Sequence, residues 1–374
     1  MSSTLKYGLI GAGMMGQEHI RNIALIEGTE VVALVEPDAQ MLQRSLALAP
    51  AAKTFASLDE MLASDIELDA LVIATPNYQH ADQLLELFKR TALPILVEKP
   101  VITSLEQAEA VRTAAANHPA PVWVAMEYRY MPPVARFRQQ IVDGDLGDLK
   151  MLAIREHRFP FLEKVQDWNR FNAKTGGTLV EKCCHFFDLM RLIVGAEATR
   201  VYASAAQDAN HIDERYEGAK PDIIDNAFVV VDFANGKRAS LDLNMFAEGS
   251  RYQEEICAIG PLAKLECFVP GPGRFWPTET LGPAPIPKVV MSPRDPKGPI
   301  ELDIPVDDAL LEAGDHNGST FYQHQGFYNA ITQQGAVDVS IEDGIKAVVL
   351  GLAAQESARS GRAVEITQSG LSFS

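Results

Sequence analysis

Long apolar runs are missing from this chain. No hydrophobic stretch approaches about 18 residues, so a membrane span is not expected. Cysteine is sparse, with 4 in 374 residues. That is too few for a disulfide scaffold of this length, and reduced thiols in a cytoplasmic setting are the expectation. The opening MSSTLKYGLI has no basic region leading into an apolar run and cleavage site, so no export signal is expected. Positive charge is in deficit: 33 Lys and Arg face 50 Asp and Glu, for a formal net charge of -17. Such a surface repels phosphate backbones and argues against a nucleic-acid partner. It does not exclude an anionic cofactor, because a few backbone N–H groups can hold phosphate locally.

What is present is strand–helix alternation over residues 1–127. KYGLIGAGMMGQEHI sets Gly11, Gly13 and Gly16 in G-x-G-x-x-G spacing between a strand over 6–10 and a helix over 15–26. In this spacing the first glycine makes the tight turn. The second lets a pyrophosphate approach the backbone, and the third lets helix and strand pack closely. Met14 and Met15 complete the candidate cofactor loop. EVVALVEP reads as a second strand over 30–37 that ends in Glu36. A carboxylate there accepts from the adenosine ribose hydroxyls and repels a 2′-phosphate, so NAD is expected over NADP.

Strands at 68–77, 92–100 and 120–128 alternate with helices at 38–48, 75–90 and 104–118. Asn77 is the expected N-cap of one helix; Ser104 and Gln107 form a capping-box pattern on another. Continuous apolar strands with intervening helices specify a doubly wound parallel sheet, which binds ligands beyond its carboxyl ends. Thr75, Pro76 and Asn77 fall at one such end, with His80 one turn into the next helix. Glu98, Lys99 and Pro100 fall at another. Lys99 can reach a nicotinamide and a substrate hydroxyl together. His19, on the first helix, reads as structural.

The pattern changes over 128–340. Strands at 148–159, 199–205, 224–233, 237–247, 251–259 and 262–268 lack intervening helices, and a mainly antiparallel α+β domain follows. Asn235-Gly236 between two strand patterns is a hairpin signal. Residues 268–299 hold 9 of the 22 prolines and read as an extended irregular segment. Over 341–374, a late helix capped near Ser340 and ended at Gly361 could return to pack on the first domain.

TGGTLVEKCCHFFDLMR, residues 175–191, concentrates reactive side chains. Read as a helix, it places Glu181 and His185 on one face at i,i+4, with Asp188 three residues further on. Cys183, Cys184 and His185 are consecutive and point about 100° apart, so they cannot converge on an ion, and no metal is expected. The cysteines read as small hydrophobes in helix packing. Arg155 and His157, two apart on a strand, share a face and are candidate substrate contacts. Trp168, Asn169 and Arg170 precede the glycine pair, and an aromatic ring and amide there suit a sugar or polyol.

The order and spacing of GLIGAGMMGQEHI, Glu36, ATPNYQH at 74–80, EKP at 98–100 and YRYMP at 128–132 resemble the Gfo/Idh/MocA family of dehydrogenases. TGGTLVEKCCHFFDLMRLIVG at 175–195 and SIEDGIKAVVLGLAAQESARSGRAV at 340–364 extend the resemblance over nearly the whole chain. It implies an N-terminal Rossmann domain and a C-terminal domain with an open, mostly antiparallel sheet. One sheet face would form the interface of a homodimer or homotetramer. The implied activity is NAD-dependent oxidation of a secondary hydroxyl of a sugar or cyclic polyol. The family's catalytic lysine falls on Lys99, its histidine on His185, and its aspartate on Glu181. Substrate contacts are also implied near His316 and His324. Glu181 replaces the usual aspartate and Cys183 a usual glycine, so the pocket should differ from those of its relatives.

Hydride transfer needs a base for the hydroxyl proton and a donor for the developing oxyanion. His185 is the preferred proton acceptor, with Lys99 stabilising the oxygen and Glu181 orienting His185 or binding an adjacent hydroxyl. A neutral Lys99 acting as base is the reverse assignment. NAD-dependent glycoside hydrolysis and a non-catalytic dinucleotide-binding regulator are the alternative functions.

Overall fold

The computed structural model describes residues 4–333 and 335–374. Its first sheet contains β1 (Leu5–Ile10), β2 (Thr29–Val35), β3 (Lys53–Phe55), β4 (Ala70–Ile73), β5 (Ile95–Val97) and β6 (Val122–Val124). All six run parallel in the order β3-β2-β1-β4-β5-β6. The crossovers carry α1 (Met14–Ala24), α2 (Ala39–Leu48), α3 (Leu58–Ala63), α4 (His80–Arg90) and α5 (Leu105–Ala116). Helices on both faces explain why β4 and β5 are buried along their whole length. Strand order reverses between β1 and β4, which opens a crevice at their carboxyl ends.

Two expected caps are not formed. Asn77 lies in a 3-10 turn, Asn77–Gln79, ahead of α4, and the helix starts without a side-chain cap. The Asn77 amide nitrogen has no protein partner and the residue lines the crevice. Ser104 makes no cap bond to α5, and Gln107 accepts from the Thr103 N–H at 2.9 Å rather than from Ser104.

After α6 (Pro132–Val142), the second sheet comprises β7 (Met151–His157), β8 (Ala198–Ala206), β9 (Asn226–Phe233), β10 (Arg238–Asn244), β11 (Glu254–Ile259), β12 (Ala263–Val269), β13 (Lys288–Pro293), β14 (Ile300–Asp303) and β15 (Val364–Glu365). Its order is β14-β13-β12-β11-β7-β10-β9-β8-β15. Neighbours are antiparallel except β7 and β10. Asn235-Gly236 turns the β9–β10 hairpin, with Gly236 at φ 78°. The proline-rich segment is only partly irregular: its KVVMSP stretch forms β13 and pairs with β12. Before it lie a 3-10 turn, Gly273–Phe275, and a short helix, Thr278–Leu281, and residues 294–299 after it form the turn into β14.

The remaining helices are α7 (Asn172–Thr175), α8 (Thr178–Glu181), α9 (Cys184–Val194), α10 (Thr278–Leu281), α11 (Asp308–Ala313), α12 (Ser319–Thr332) and α13 (Ile341–Ser360). No helix among the described residues is long and apolar enough to cross a membrane. Helices α9 and α13 cover one face of the second sheet. The other face is open: β9 alternates buried and exposed residues, with Phe228 67% and Val230 46% exposed.

Helix α13 joins the two halves. Ser340 and Asp343 form a reciprocal capping box, and Gly361 ends the helix at φ 68°. The Val124 N–H at the end of β6 donates to Val339 O at 3.1 Å. On the other side, the Gln355 side chain donates to Gly176 O at 2.6 Å. Gly351 lets α13 touch α8, since a Cβ there would lie 2.4 Å from Leu179 O. Backbone atoms cannot yield as a side-chain tip can. Gly351→Ala is therefore expected to cost about 1–3 kcal/mol, read as a lower Tm; an unchanged Tm would show that the two helices part freely.

Candidate active site

The crevice is a cleft of about 660 Å³. Its floor is the glycine turn. Gly11 has φ 87°, and a Cβ there would sit 2.7 Å from the Ala74 and Thr75 backbone. A Cβ at Gly16 would sit 2.4 Å from Gly11 O, whereas Gly13 has open space before it. Turn, helix packing and ligand approach are thus divided among the three glycines. No side chain caps α1, which leaves its first-turn N–H groups available to phosphate.

At the far end, Glu36 is fixed by two backbone donors. Ala12 N–H reaches one carboxylate oxygen at 2.8 Å and Asp38 N–H the other at 2.9 Å. The cleft is also lined by Met14, Met15, Thr75, Pro76, Asn77, His80, Glu98 and Lys99. These features fit a dinucleotide, with Glu36 at the adenosine ribose. Glu36→Ala is expected to relax discrimination against NADP; an unchanged ratio of NAD and NADP affinities would place selectivity elsewhere.

Lys99 stands at the other end of the cleft, just beyond β5. Its Nζ donates to the Glu181 carbonyl at 3.0 Å. Burial pulls its pKa down, but Cys184 and the carboxylates Glu98, Glu181 and Glu127 outweigh that, and the net shift is upward. The Cys184 thiol is itself pushed to about 12 by burial, so near neutral pH it is uncharged and the carboxylates supply the field. Lys99 is an ammonium. Glu98 anchors the strand end: its carboxylate accepts from the Lys99 N–H at 3.2 Å and lies 3.0 Å from His19 Nε2.

Glu181 lines the cleft, and its Oε2 is buried without a partner. Burial raises its pKa, while Lys99 and Lys164 oppose the shift. His185 is 2% exposed and stacks on Tyr128, with ring centroids 4.1 Å apart and planes at 7°. Its Nδ1 is buried without a partner. Burial, followed by Lys99 and Lys182, pushes its pKa well below the ordinary histidine value, so it is a neutral imidazole.

Several expected contacts are not made. Lys182 and Cys183 interrupt the helix between α8 and α9, so Glu181 and His185 do not form a pair on one continuous helix. No hydrogen bond joins them among the described residues; stacking on Tyr128 holds the His185 ring. Asp188 is buried in a two-pronged ion pair with Arg129. Arg155 and His157 point to the open sheet face, where Asp242 and Glu255 pair with Arg155, and Asp242 with His157. The inward residues of β7 are Leu152, Ile154 and Glu156. His324 is fully buried, with its Nε2 2.8 Å from His19 Nδ1, and forms a chain from Glu98 rather than a substrate contact. Trp168 does line the cleft and meets Tyr78 edge-on at 6.3 Å. Cys183 and Cys184 are free and buried in the core.

His316 lies 2.8 Å from Glu18 and 3.6 Å from Glu127. Burial lowers its pKa, but the two carboxylates raise it further, to about 9. Glu18, Glu127 and His316 are the one group among the described residues whose potential metal-ligating atoms lie within 4.8 Å of one another. A protonated imidazole bridging the two acids accounts for that geometry.

Residues not singled out from sequence also reach the site. Tyr128 supports His185, and its hydroxyl accepts from Lys182 Nζ at 2.5 Å. Lys182 also pairs with Glu156 at 2.8 Å. Lys164, from the segment leading to Trp168, lines the cleft. Only the inward phase of β7 could have drawn attention to Glu156; nothing local marks Lys164.

A glycine cradle for a dinucleotide, ending at a buried ammonium across from a second domain, is the architecture of an NAD-binding oxidoreductase. Residues 5–126 match the oxidoreductase family's NAD-binding Rossmann fold, and residues 138–258 match its C-terminal alpha/beta domain. The chain belongs to the Gfo/Idh/MocA oxidoreductase family. It is similar to the rhizopine catabolism protein MocA of Rhizobium meliloti, with 26% identity over 269 residues, 72% of this chain and 80% of that protein. It is also similar to inositol 2-dehydrogenase of Rhizobium meliloti strain 1021, with 27% identity over 238 residues, 63% of this chain and 67% of that protein. The fold is like that of a levoglucosan dehydrogenase solved with NADH and levoglucosan: TM-score 0.80, 19% identity, 97% of this chain and 99% of that one.

Proposed function

We propose that this chain is an NAD-dependent dehydrogenase that reversibly oxidises a secondary hydroxyl of a sugar, cyclic polyol or related carbohydrate to a ketone or lactone. The observation that carries this reading is the geometry at the end of the cleft, where Lys99 Nζ lies 3.0 Å from the Glu181 carbonyl and His185, stacked on Tyr128, keeps a buried Nδ1 without a partner. Lys99 is held protonated, His185 is held neutral, and Glu181 presents an unpartnered carboxylate oxygen. When bound, the nicotinamide supplies the hydride acceptor. Lys99 donates to the substrate oxygen and stabilises negative charge as it develops. His185 takes the hydroxyl proton. Glu181 accepts from an adjacent hydroxyl, which fixes the ring. Similarity to an inositol 2-dehydrogenase supports a cyclic polyol or related carbohydrate as substrate.

The test is to mix purified protein with NAD and a panel of cyclitols, aldoses, sugar acids and glycosides, while following reduced nicotinamide absorbance. Failure across the panel despite tight NAD binding would sink the reading. Glycoside cleavage without net NADH would favour the hydrolytic alternative.

The open sheet face is the proposed subunit interface of a homodimer or homotetramer. Phe228, Val230 and Tyr202 are exposed on it, and an apolar face of this kind is stabilised when covered. A monomer in sedimentation at micromolar concentration would contradict this assignment.

A further inference from the structure

The charges closest to the reacting groups are unevenly matched. Lys182 and Arg158 share one carboxylate, Glu156: Lys182 lies 2.8 Å from it, and Arg158 is left at 3.6 Å. Among the described residues the Arg158 side chain otherwise donates only to its neighbour's carbonyl, Phe159 O, at 3.1 Å, and it lies over the Phe159 ring. Arg170 has its own partner, Glu214, at 3.2 Å. Lys164 has no carboxylate within 4 Å among the described residues. Its ammonium lies 4.0 Å from the Met14 sulfur. Yet Lys164 lines the same cleft as Lys99 and Glu181.

The acids of this region do not answer these cations. Glu18 and Glu127 are taken up by His316 and by the Thr320 hydroxyl. Glu98 is engaged by His19 and the Lys99 N–H. Glu254 lies beside the Tyr128 hydroxyl and the Gln253 amide. Glu163, Glu98 and Glu181 line the cleft on the side of Lys164 and Lys99, but among the described residues none of them lies within 4 Å of the Lys164 ammonium, and Lys99 and Lys164 both act on Glu181. The cations acting on His185 are Lys99, Lys182, His316 and Arg158. A partly buried cation without a partner is costly, and an incoming anion removes that cost.

We infer that the substrate carries an anionic substituent, a carboxylate or similar oxyanion, which is received by Lys164 and Arg158 next to the hydroxyl site at Lys99, Glu181 and His185. This inference rests on the dehydrogenase reading and narrows it from neutral polyols to sugar or cyclitol acids. Arg158 is suited to a two-pronged contact with a planar carboxylate. Lys164 supplies a point charge from the segment that carries Trp168. The phosphates of the cofactor share the chemistry that Lys164 recognises, and the two sources give different results below.

Matched pairs, D-glucose with D-glucuronate, D-galactose with D-galacturonate, and myo-inositol with its monophosphate, are titrated calorimetrically into the NAD-loaded protein. NADH formation is followed in parallel. The acid of at least one pair is expected to bind about tenfold or more tightly than its neutral partner, as one charged hydrogen bond provides. Lys164→Met and Arg158→Met, checked for folding by circular dichroism, should each reduce that preference by about tenfold. Lys164→Gln provides a second variant on the segment. Binding of neutral members over their acids overturns the inference, and so does binding of no acid. If Lys164→Met weakens NAD binding but leaves the acid preference intact, Lys164 serves the cofactor phosphates and the inference is again overturned. Acid binding without NADH from any member instead sinks the dehydrogenase reading and leaves the anion site standing.

Discussion

Lys99→Ala is expected to lower kcat/KM for NAD-dependent oxidation by about 10²–10³-fold, the cost of deleting a donor aimed at a developing oxyanion. The side chain does two things in this site. It offers an ammonium to the substrate oxygen, and it is the largest charge acting against the buried Glu181 carboxylate's tendency to protonate. Its removal should therefore weaken substrate positioning as well as turnover. NAD affinity should change little, because the glycine turn and Glu36 lie at the other end of the cleft. Lys99→Arg is not a conservative rescue, since a planar fork cannot replace a compact ammonium that points at one carbonyl. Near-normal turnover in Lys99→Ala, with NAD binding intact, would remove Lys99 from the chemistry.

His185→Ala is expected to reduce turnover by about 10²–10⁴-fold, the usual contribution of a positioned base. The pH profile tells this assignment from its reverse. Burial and the nearby cations hold the His185 pKa well below the ordinary histidine value. The group is then already neutral, and able to accept a proton, across the range above that value. In oxidation, kcat/KM should be level from about pH 7 to 9, with its acid limb below the usual histidine range. A neutral Lys99 as base would give the opposite result. Its pKa is raised above 10.5, so the rate would climb throughout the alkaline range. Such a climb, retained in His185→Ala, would exchange the two roles.

The cofactor half of this site was legible from local sequence. Gly11, Gly13 and Gly16 have distinct steric demands, and those demands follow from spacing alone. Glu36 ends a strand whose length and apolar content are unambiguous. The substrate half depends on relations that periodicity does not carry. Residues 178–194 are apolar enough to read as one helix, and nothing in LVEKCCHFF shows that Lys182 and Cys183 interrupt it. Arg155 and Glu156 are adjacent; Leu152 and Ile154 set the inward phase and carry Glu156 with them, but the partner that pairs with it there, Lys182, comes from a distant segment. His324 was a plausible contact by position near the end of the domain. Its actual partner, His19, lies 305 residues away in sequence. The strand Lys288–Pro293 was hidden among prolines because Pro287 and Pro293 leave only five residues between them, too few for a strand period to show, although β12 and β14 pair with it on both sides.

Helix α13 also sets a schedule for the growing polypeptide. During translation, N-terminal regions emerge and begin to fold first. Here the edge strand of the first sheet waits for Val339 to pair with Val124, and the turn before Glu181 waits for Gln355 to reach Gly176, 179 residues earlier. A ribosome-bound chain stalled before residue 340 would hold Lys99, Glu181 and His185, but without the brace that seats them. Reactivity and assembly would arrive together, near the end of synthesis.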